Sequence, residues 1–180
     1  ADCRSNSCGI LSCSDGWHDV DADPLSGCEC QEERGGSDVG ASCSNRHNLG
    51  TLGDACSEHP NEKQFVGTLH SPDDIDVFFF SSDDASTFLV CDGFGDSSRT
   101  TVQLLSGPPG LVLCANIAEN GVGCGGYTTY FDPNVCGQTK YEHDGSYGTD
   151  DDKDVTAWVM WHPDASPSCG EYTLKFRARD

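Results

Sequence analysis

Asp19, Asp21 and Asp23 occupy alternate positions in the stretch Asp19-Val20-Asp21-Ala22-Asp23-Pro24-Leu25. Alternate carboxylates in a tight loop can converge on one hard cation, because Ca2+ takes about six to eight oxygen ligands at ~2.3–2.6 Å. The backbone carbonyl of Leu25 could add a ligand, and Glu29 could close the shell with both carboxylate oxygens. The stretch departs from an EF-hand loop in two ways. Pro24 stands where the turn glycine belongs, and Glu29 falls one residue before the closing position, which is Cys30. Calcium in a structural role is the expected cofactor; a solvated acidic turn is the alternative. Two other acidic groups are weaker candidates for such an ion. One is Asp73, Asp74 and Asp76. The other is Asp150, Asp152 and Asp154, in a cluster with Asp144 and Asp151. Asp76 shares a strand face with Phe78 and Phe80, where a buried carboxylate needs hydrogen bonds or a metal to offset desolvation.

Signals for catalysis are poor, and the chain reads as a non-enzyme. His18, His47, His59, His70, His143 and His162 are scattered, and no H-E-x-x-H pattern occurs. Asp144-Gly145-Ser146-Tyr147-Gly148 misses a nucleophile elbow at its first position. Cys56 precedes His59 by three residues, which reads as half a disulfide beside a surface imidazole. The aromatic residues suggest binding instead. Trp158 and Trp161 have odd spacing on one expected strand, so they point to opposite faces and one is expected to be exposed. With Tyr127 and Tyr130 it could form a platform for stacking on sugar rings. The alternative packs the second tryptophan beneath the Gly121 to Gly148 segment.

Charge narrows the partners. Of 180 residues, 10 are basic and 30 acidic, a formal charge of -20. Phosphate binding needs Lys/Arg clusters, so nucleic acid is excluded as a partner, and anionic membranes are disfavoured for the same reason. The 12 cysteines are even in number and scattered: Cys3, Cys8, Cys13, Cys28, Cys30 and Cys43, then Cys56, Cys91, Cys114, Cys124, Cys136 and Cys169. This usage predicts disulfides throughout, formed in an oxidising compartment. The even split is compatible with closed pairing within each half. No apolar run is long enough to span a membrane. No leader precedes Ala1-Asp2-Cys3, so an exported chain would already have lost its signal or be part of a longer one. The absence of an N-x-[ST] sequon favours a bacterial source.

These features divide the chain into a Cys-rich, possible calcium module over residues 1–43, a connection over 44–59 and a β-sandwich over 60–180. Residues 1–43 hold too few patterned apolar residues to build a core, so disulfides and a cation must replace one. From residue 60 the runs Phe65 to Leu69, Ile75 to Phe80, Ser86 to Cys91, Thr100 to Leu105, Leu111 to Ile117 and Val155 to Trp161 are apolar or β-branched and separated by turn residues. In the last run Tyr172, Leu174 and Phe176 alternate with Thr173, Lys175 and Arg177, as in a strand with one wet face. Gly121 to Gly148 reads as a long loop or irregular strand pair pinned by disulfide. The expected fold is all-β: an antiparallel, jelly-roll-like sandwich with a small, disulfide-rich, helix-poor N-terminal module.

Two stretches carry resemblances. Gly67-Thr68-Leu69, then Asp73-Asp74-Ile75-Asp76-Val77-Phe78-Phe79-Phe80, and finally Gly170-Glu171-Tyr172-Thr173-Leu174 resemble the opening and closing strands of the bacterial pre-peptidase C-terminal domain. That family is a small jelly-roll-like sandwich appended to exported enzymes. The likeness covers roughly residues 60 to 178, at its two ends. The stretch from Cys13 through Asp15-Gly16-Trp17, Asp19 to Pro24 and Gly27-Cys28-Glu29 is similar to a short Cys-rich motif of exported myxobacterial proteins. Together they imply a secreted or outer-surface protein of a Gram-negative bacterium. It would be a calcium-stabilised module or structural subunit that binds a protein or polysaccharide at the cell exterior, or assembles as a homo-oligomer or polymer. A carbohydrate-binding module accompanying an exported hydrolase is the alternative.

Overall fold

The computed structural model describes residues 2–4, 7–9, 12–21, 23, 25–31, 40, 42–53, 61–83, 99–119, 130–144 and 153–179. Four short strands lie in the N-terminal segment: β1 (Asp2–Arg4), β2 (Ser7–Gly9), β3 (Trp17–His18) and β4 (Cys30–Gln31). The larger ones are β5 (His47–Gly53), β6 (Asn61–Thr68), β7 (Ile75–Asp83), β8 (Arg99–Ser106) and β9 (Leu111–Glu119). They continue with β10 (Cys136–Gln138), β11 (Lys140–Asp144), β12 (Lys153–Trp161) and β13 (Glu171–Arg179). Among the described residues the single helical element is the 3-10 turn Cys43–Asn45, capped by the Ser42 hydroxyl accepting from the Asn45 N–H.

Strands β6 to β13 form two facing sheets, in the orders β11-β8-β13-β6 and β10-β9-β12-β7. All these pairings are antiparallel, and this alternation between sheets is the jelly roll. The long run from Val155 to Trp161 becomes β12, the centre of its sheet, paired on both sides by β7 and β9. Tyr172, Leu174 and Phe176 of β13 point inward as their alternation requires, against Phe78, Phe80, Val102, Leu113 and Val159. Phe78 and Phe80 lie 5.4 and 5.6 Å from the Phe176 ring, and Phe65 lies 4.8 Å from Phe78, distances typical of tilted and edge-to-face aromatic packing.

Residues 44–59, expected to be a connection, contribute β5, which pairs in parallel with β7 at the sheet edge. Parallel neighbours need a crossover. Here the crossover contains β6 of the opposite sheet, so a short segment without an apolar run could become a strand. Just upstream, the Gly40 carbonyl accepts from the Val77 N–H at 2.7 Å. Lys63 lies exposed on the edge strand β6 and donates to the Leu49 carbonyl of β5. A lysine on an edge strand blunts it against pairing with other chains.

The disulfides tie these layers together. Cys114 of β9 and Cys136 of β10 are register partners and are bonded, which pins the described part of the insertion, residues 130–144, to β9. Cys13 is bonded to Cys28. Cys30 is bonded to Cys169, just before β13, so pairing is not closed within each half: one bond fastens the N-terminal segment to the sandwich. Cys43 is also disulfide-bonded, and no described cysteine is free. Cys3 and Cys8 face each other in the β1–β2 register. Cys56, Cys91 and Cys124, and the run Ser86 to Cys91, lie outside the described residues.

Two predictions follow from this packing. Gly40 has φ +99° and a side-chain carbon there would meet the Val77 carbonyl oxygen at 2.6 Å and its nitrogen at 2.8 Å. Gly40→Ala should therefore lower stability by about 1 kcal/mol or more, measured by denaturant unfolding. Tyr141 of β11 donates to the Leu113 carbonyl at 3.2 Å, and its burial pushes the phenol above its ordinary range, against a weaker opposing effect of the Gln138 N–H. A raised folded-state value means the stabilisation is full below the unfolded value near about 10 and is lost as pH rises through the folded one. The alkaline loss of stability should be shallower in Tyr141→Phe than in the native chain.

Candidate metal centre

The acidic loop is closed at its base in two ways. His18 of β3 pairs with Cys30 of β4, and the Cys13–Cys28 disulfide joins the flanking turns. Within the loop the carboxylates organise the backbone. Asp21 Oδ1 accepts from the Asp23 N–H at 2.8 Å and from the Ser26 hydroxyl at 2.9 Å. Asp23 Oδ1 accepts from the Leu25 N–H at 2.9 Å. These are the local turns that aspartate favours. The Asp23 N–H, followed by the Ser26 hydroxyl, holds the Asp21 carboxyl below the ordinary aspartate range.

Glu29 is the organising residue. Its Oε1 accepts from the Val20 N–H at 2.7 Å and from the Asp21 N–H at 3.3 Å. Its Oε2 is buried and has no hydrogen-bond partner among the described residues. Asp19, Asp21 and Glu29 each place one oxygen within 4.8 Å of the others. Two oxygens bound to one Ca2+ at ~2.3–2.6 Å lie at most about 5 Å apart, so this set fits a single ion. The converging set is therefore two of the three alternating aspartates plus Glu29. Asp23 instead braces the turn through Leu25, whose side chain is 93% exposed.

Among the described residues the weaker acidic candidates form no such cluster. Asp74 is buried and accepts from the His70 backbone N–H at 2.8 Å, with His70 Nδ1 also at 2.8 Å. Asp76 is fully buried and accepts from the Tyr172 hydroxyl through one carboxylate oxygen, while Asp73 is exposed. Asp154 accepts from the Ser81 hydroxyl at 2.7 Å, and Asp144 pairs with Arg99 Nε at 2.6 Å. Asp150, Asp151 and Asp152 lie outside the described residues.

The tryptophan platform is corrected, and the alternative, the second tryptophan packed beneath the insertion, is the arrangement found. Trp158 and Trp161 do point to opposite faces of β12, but both faces are covered, leaving them 0% and 5% exposed. Trp161 lies in the core between the sheets. Trp158 lies on the outer face with Val77, Met160 and the Cys114–Cys136 bond, where Phe131 and Val135 pack over it. The 131–135 segment belongs to the long insertion and is held by the Ala115 N–H donating to the Val135 carbonyl at 2.9 Å. Tyr130 is 64% exposed at its start, and Tyr127 lies outside the described residues.

Trp17 is the exposed tryptophan, at 41%. It lines an open groove beside the carboxylate cluster with Asp15, His18, Asp19 and His70. Trp17 and His18 adjoin the acidic stretch in sequence, but no spacing rule links them to His70, which the topology brings in from the end of β6.

No protein-family model matches the chain, and no curated protein matches it. Among solved structures it is similar to Aeromonas hydrophila PliG, a periplasmic lysozyme inhibitor of g-type lysozyme. The TM-score is 0.37 at 8% identity, over 73% of this chain and 98% of that one. It is also similar to Salmonella Typhimurium PliG, again a periplasmic inhibitor of g-type lysozyme, with a TM-score of 0.36 at 12% identity, over 71% and 96%. Values this low transfer neither a binding site nor a function.

Deleting a buried tryptophan removes packing on all sides. Trp158→Ala should lower stability by about 3–5 kcal/mol. Trp17→Ala should leave the unfolding midpoint near that of the native chain. Equal effects of the two substitutions in chemical denaturation would contradict the assignment of core and surface tryptophans.

Proposed function

We propose that this chain is a calcium-stabilised, non-catalytic binding module that works outside the cytoplasm and engages a protein or polysaccharide at the cell exterior. The observation that carries the calcium reading is Glu29. One of its oxygens fixes the loop backbone through two N–H donors, and the other is buried without a partner beside two aspartates. A carboxylate oxygen withdrawn from water without a donor is costly, and a hard cation supplies the missing partner. The disulfides favour an oxidising compartment. Among the described residues no helix is long and apolar enough to cross a membrane.

A separate partner is favoured over assembly with further copies at the β5–β6 side, because Lys63 and Asn61 of β6 already engage the Leu49 and Gly53 carbonyls of β5. Polysaccharide binding has one specific support, the exposed face of Trp17 in a groove with polar neighbours. A glycan array probed with the native chain and with Trp17→Ala tests that reading; an identical profile from both removes it.

Calcium titrated calorimetrically into chelator-treated protein should show one site. Glu29→Gln should weaken it at least tenfold, and chelation should lower Tm, since an ion that binds the folded state stabilises it by mass action. No heat of binding, together with a Tm indifferent to chelator, would overturn the calcium reading.

A further inference from the structure

We propose that His18 and His70 form a second metal site, for a borderline divalent cation of the Zn2+ or Cu2+ class, on the wall of the groove beside the carboxylate cluster. The two imidazoles come from different parts of the chain, His18 from β3 and His70 from the turn after β6. Their ring centroids are 4.4 Å apart at an interplanar angle of 43°. The Cys30–Cys169 bond and the His18–Cys30 pairing hold β3 against the sandwich, so this proximity is built into the fold.

His70 is held by a buried carboxylate. Its Nδ1 lies 2.8 Å from Asp74 Oδ2, and the Asp74 side chain is 2% exposed. The same carboxylate oxygen accepts the His70 backbone N–H, and the Asp74 N–H donates to the Ser71 carbonyl at 3.2 Å. A neutral imidazole that gives its Nδ1 proton to a carboxylate keeps its lone pair on Nε2. That is the carboxylate–imidazole arrangement which fixes the tautomer and raises the basicity of metal-bound histidines. A contact made only for packing needs no such support. The His70 side chain is 14% exposed, so little ordering is required on binding. The groove is open, so water can complete the coordination.

The two sites would differ in chemistry. Imidazole nitrogen suits zinc and copper, whereas calcium takes oxygen alone. Glu29 serves the carboxylate cluster, so a substitution there separates the sites. Asp74 is a positioning residue: it acts through His70.

The test uses the full chain, freed of metal and then saturated with Ca2+ to occupy carboxylates. Zn2+ titrated calorimetrically should bind at one site in the micromolar range. His18→Gln and His70→Gln should each weaken it at least tenfold, and Asp74→Asn by about tenfold, the scale seen for supporting residues at metal sites. Glu29→Gln should leave Zn2+ affinity unchanged. His18→Phe keeps a ring against His70, so it should retain Tm and lose zinc binding. Should a variant fail to fold, imidazole nitrogen resonances of the native chain give an independent reading, with two histidines shifting together as Zn2+ is added. Absence of Zn2+ binding by the native chain would overturn the proposal. So would binding that neither histidine substitution weakens, or Zn2+ shifts confined to other histidines.

Discussion

Three carboxylates meet at Asp19, Asp21 and Glu29, in a segment that has almost no apolar interior. Like charges held this close repel, and the repulsion must be opposed by something fixed. Three features oppose it here. The Cys13–Cys28 bond closes the base of the loop, the β3–β4 pairing aligns its two arms, and Glu29 ties its own arm to the other through the Val20 and Asp21 N–H groups. What remains unanswered is the buried Oε2 of Glu29. The proposed divalent cation would answer it and the repulsion together, in this loop and not in the larger sandwich.

The sandwich supplies the rigid base. Its central strand β12 is dry on both faces, and that single fact settles the fate of both tryptophans. One face closes the core between the sheets. The other is covered by the 131–135 segment, which the Cys114–Cys136 bond keeps in place. With both of its tryptophans used internally, the sandwich leaves the exposed tryptophan to the N-terminal segment. Cys30–Cys169 then fastens that segment beside the turn after β6, and the groove with Trp17, His18 and His70 lies at this junction.

Much of the fold was legible in the sequence because local periodicity expresses it. Alternation in Tyr172 to Arg177 placed a strand and its inner face correctly, and the β-branched runs marked β7, β8, β9 and β12. β5 was not legible, since an edge strand wetted along much of its length carries no apolar run, and its parallel pairing depends on a strand in the other sheet. The cover over the outer face of β12 was legible only as an alternative, the second tryptophan packed beneath the insertion, because that insertion has no strand pattern of its own to place it. At the site, alternate aspartates pointed to the right loop. They could not show that Asp23 would turn to the Leu25 N–H while Glu29 reached back across the loop, for that choice is made by backbone geometry. The His18–His70 contact and the Cys30–Cys169 bond are long-range, and one sequence contains no sign of either.

Calcium is proposed to order the loop around Glu29 on a sandwich that is stable without it, and amide hydrogen exchange reads this directly. With calcium, the Val20 and Asp21 amides that donate to Glu29 should be protected, and chelation should remove that protection while amides of β12 and β13 exchange as slowly as before. Equal protection of residues 12–31 in calcium and in chelator would contradict the account.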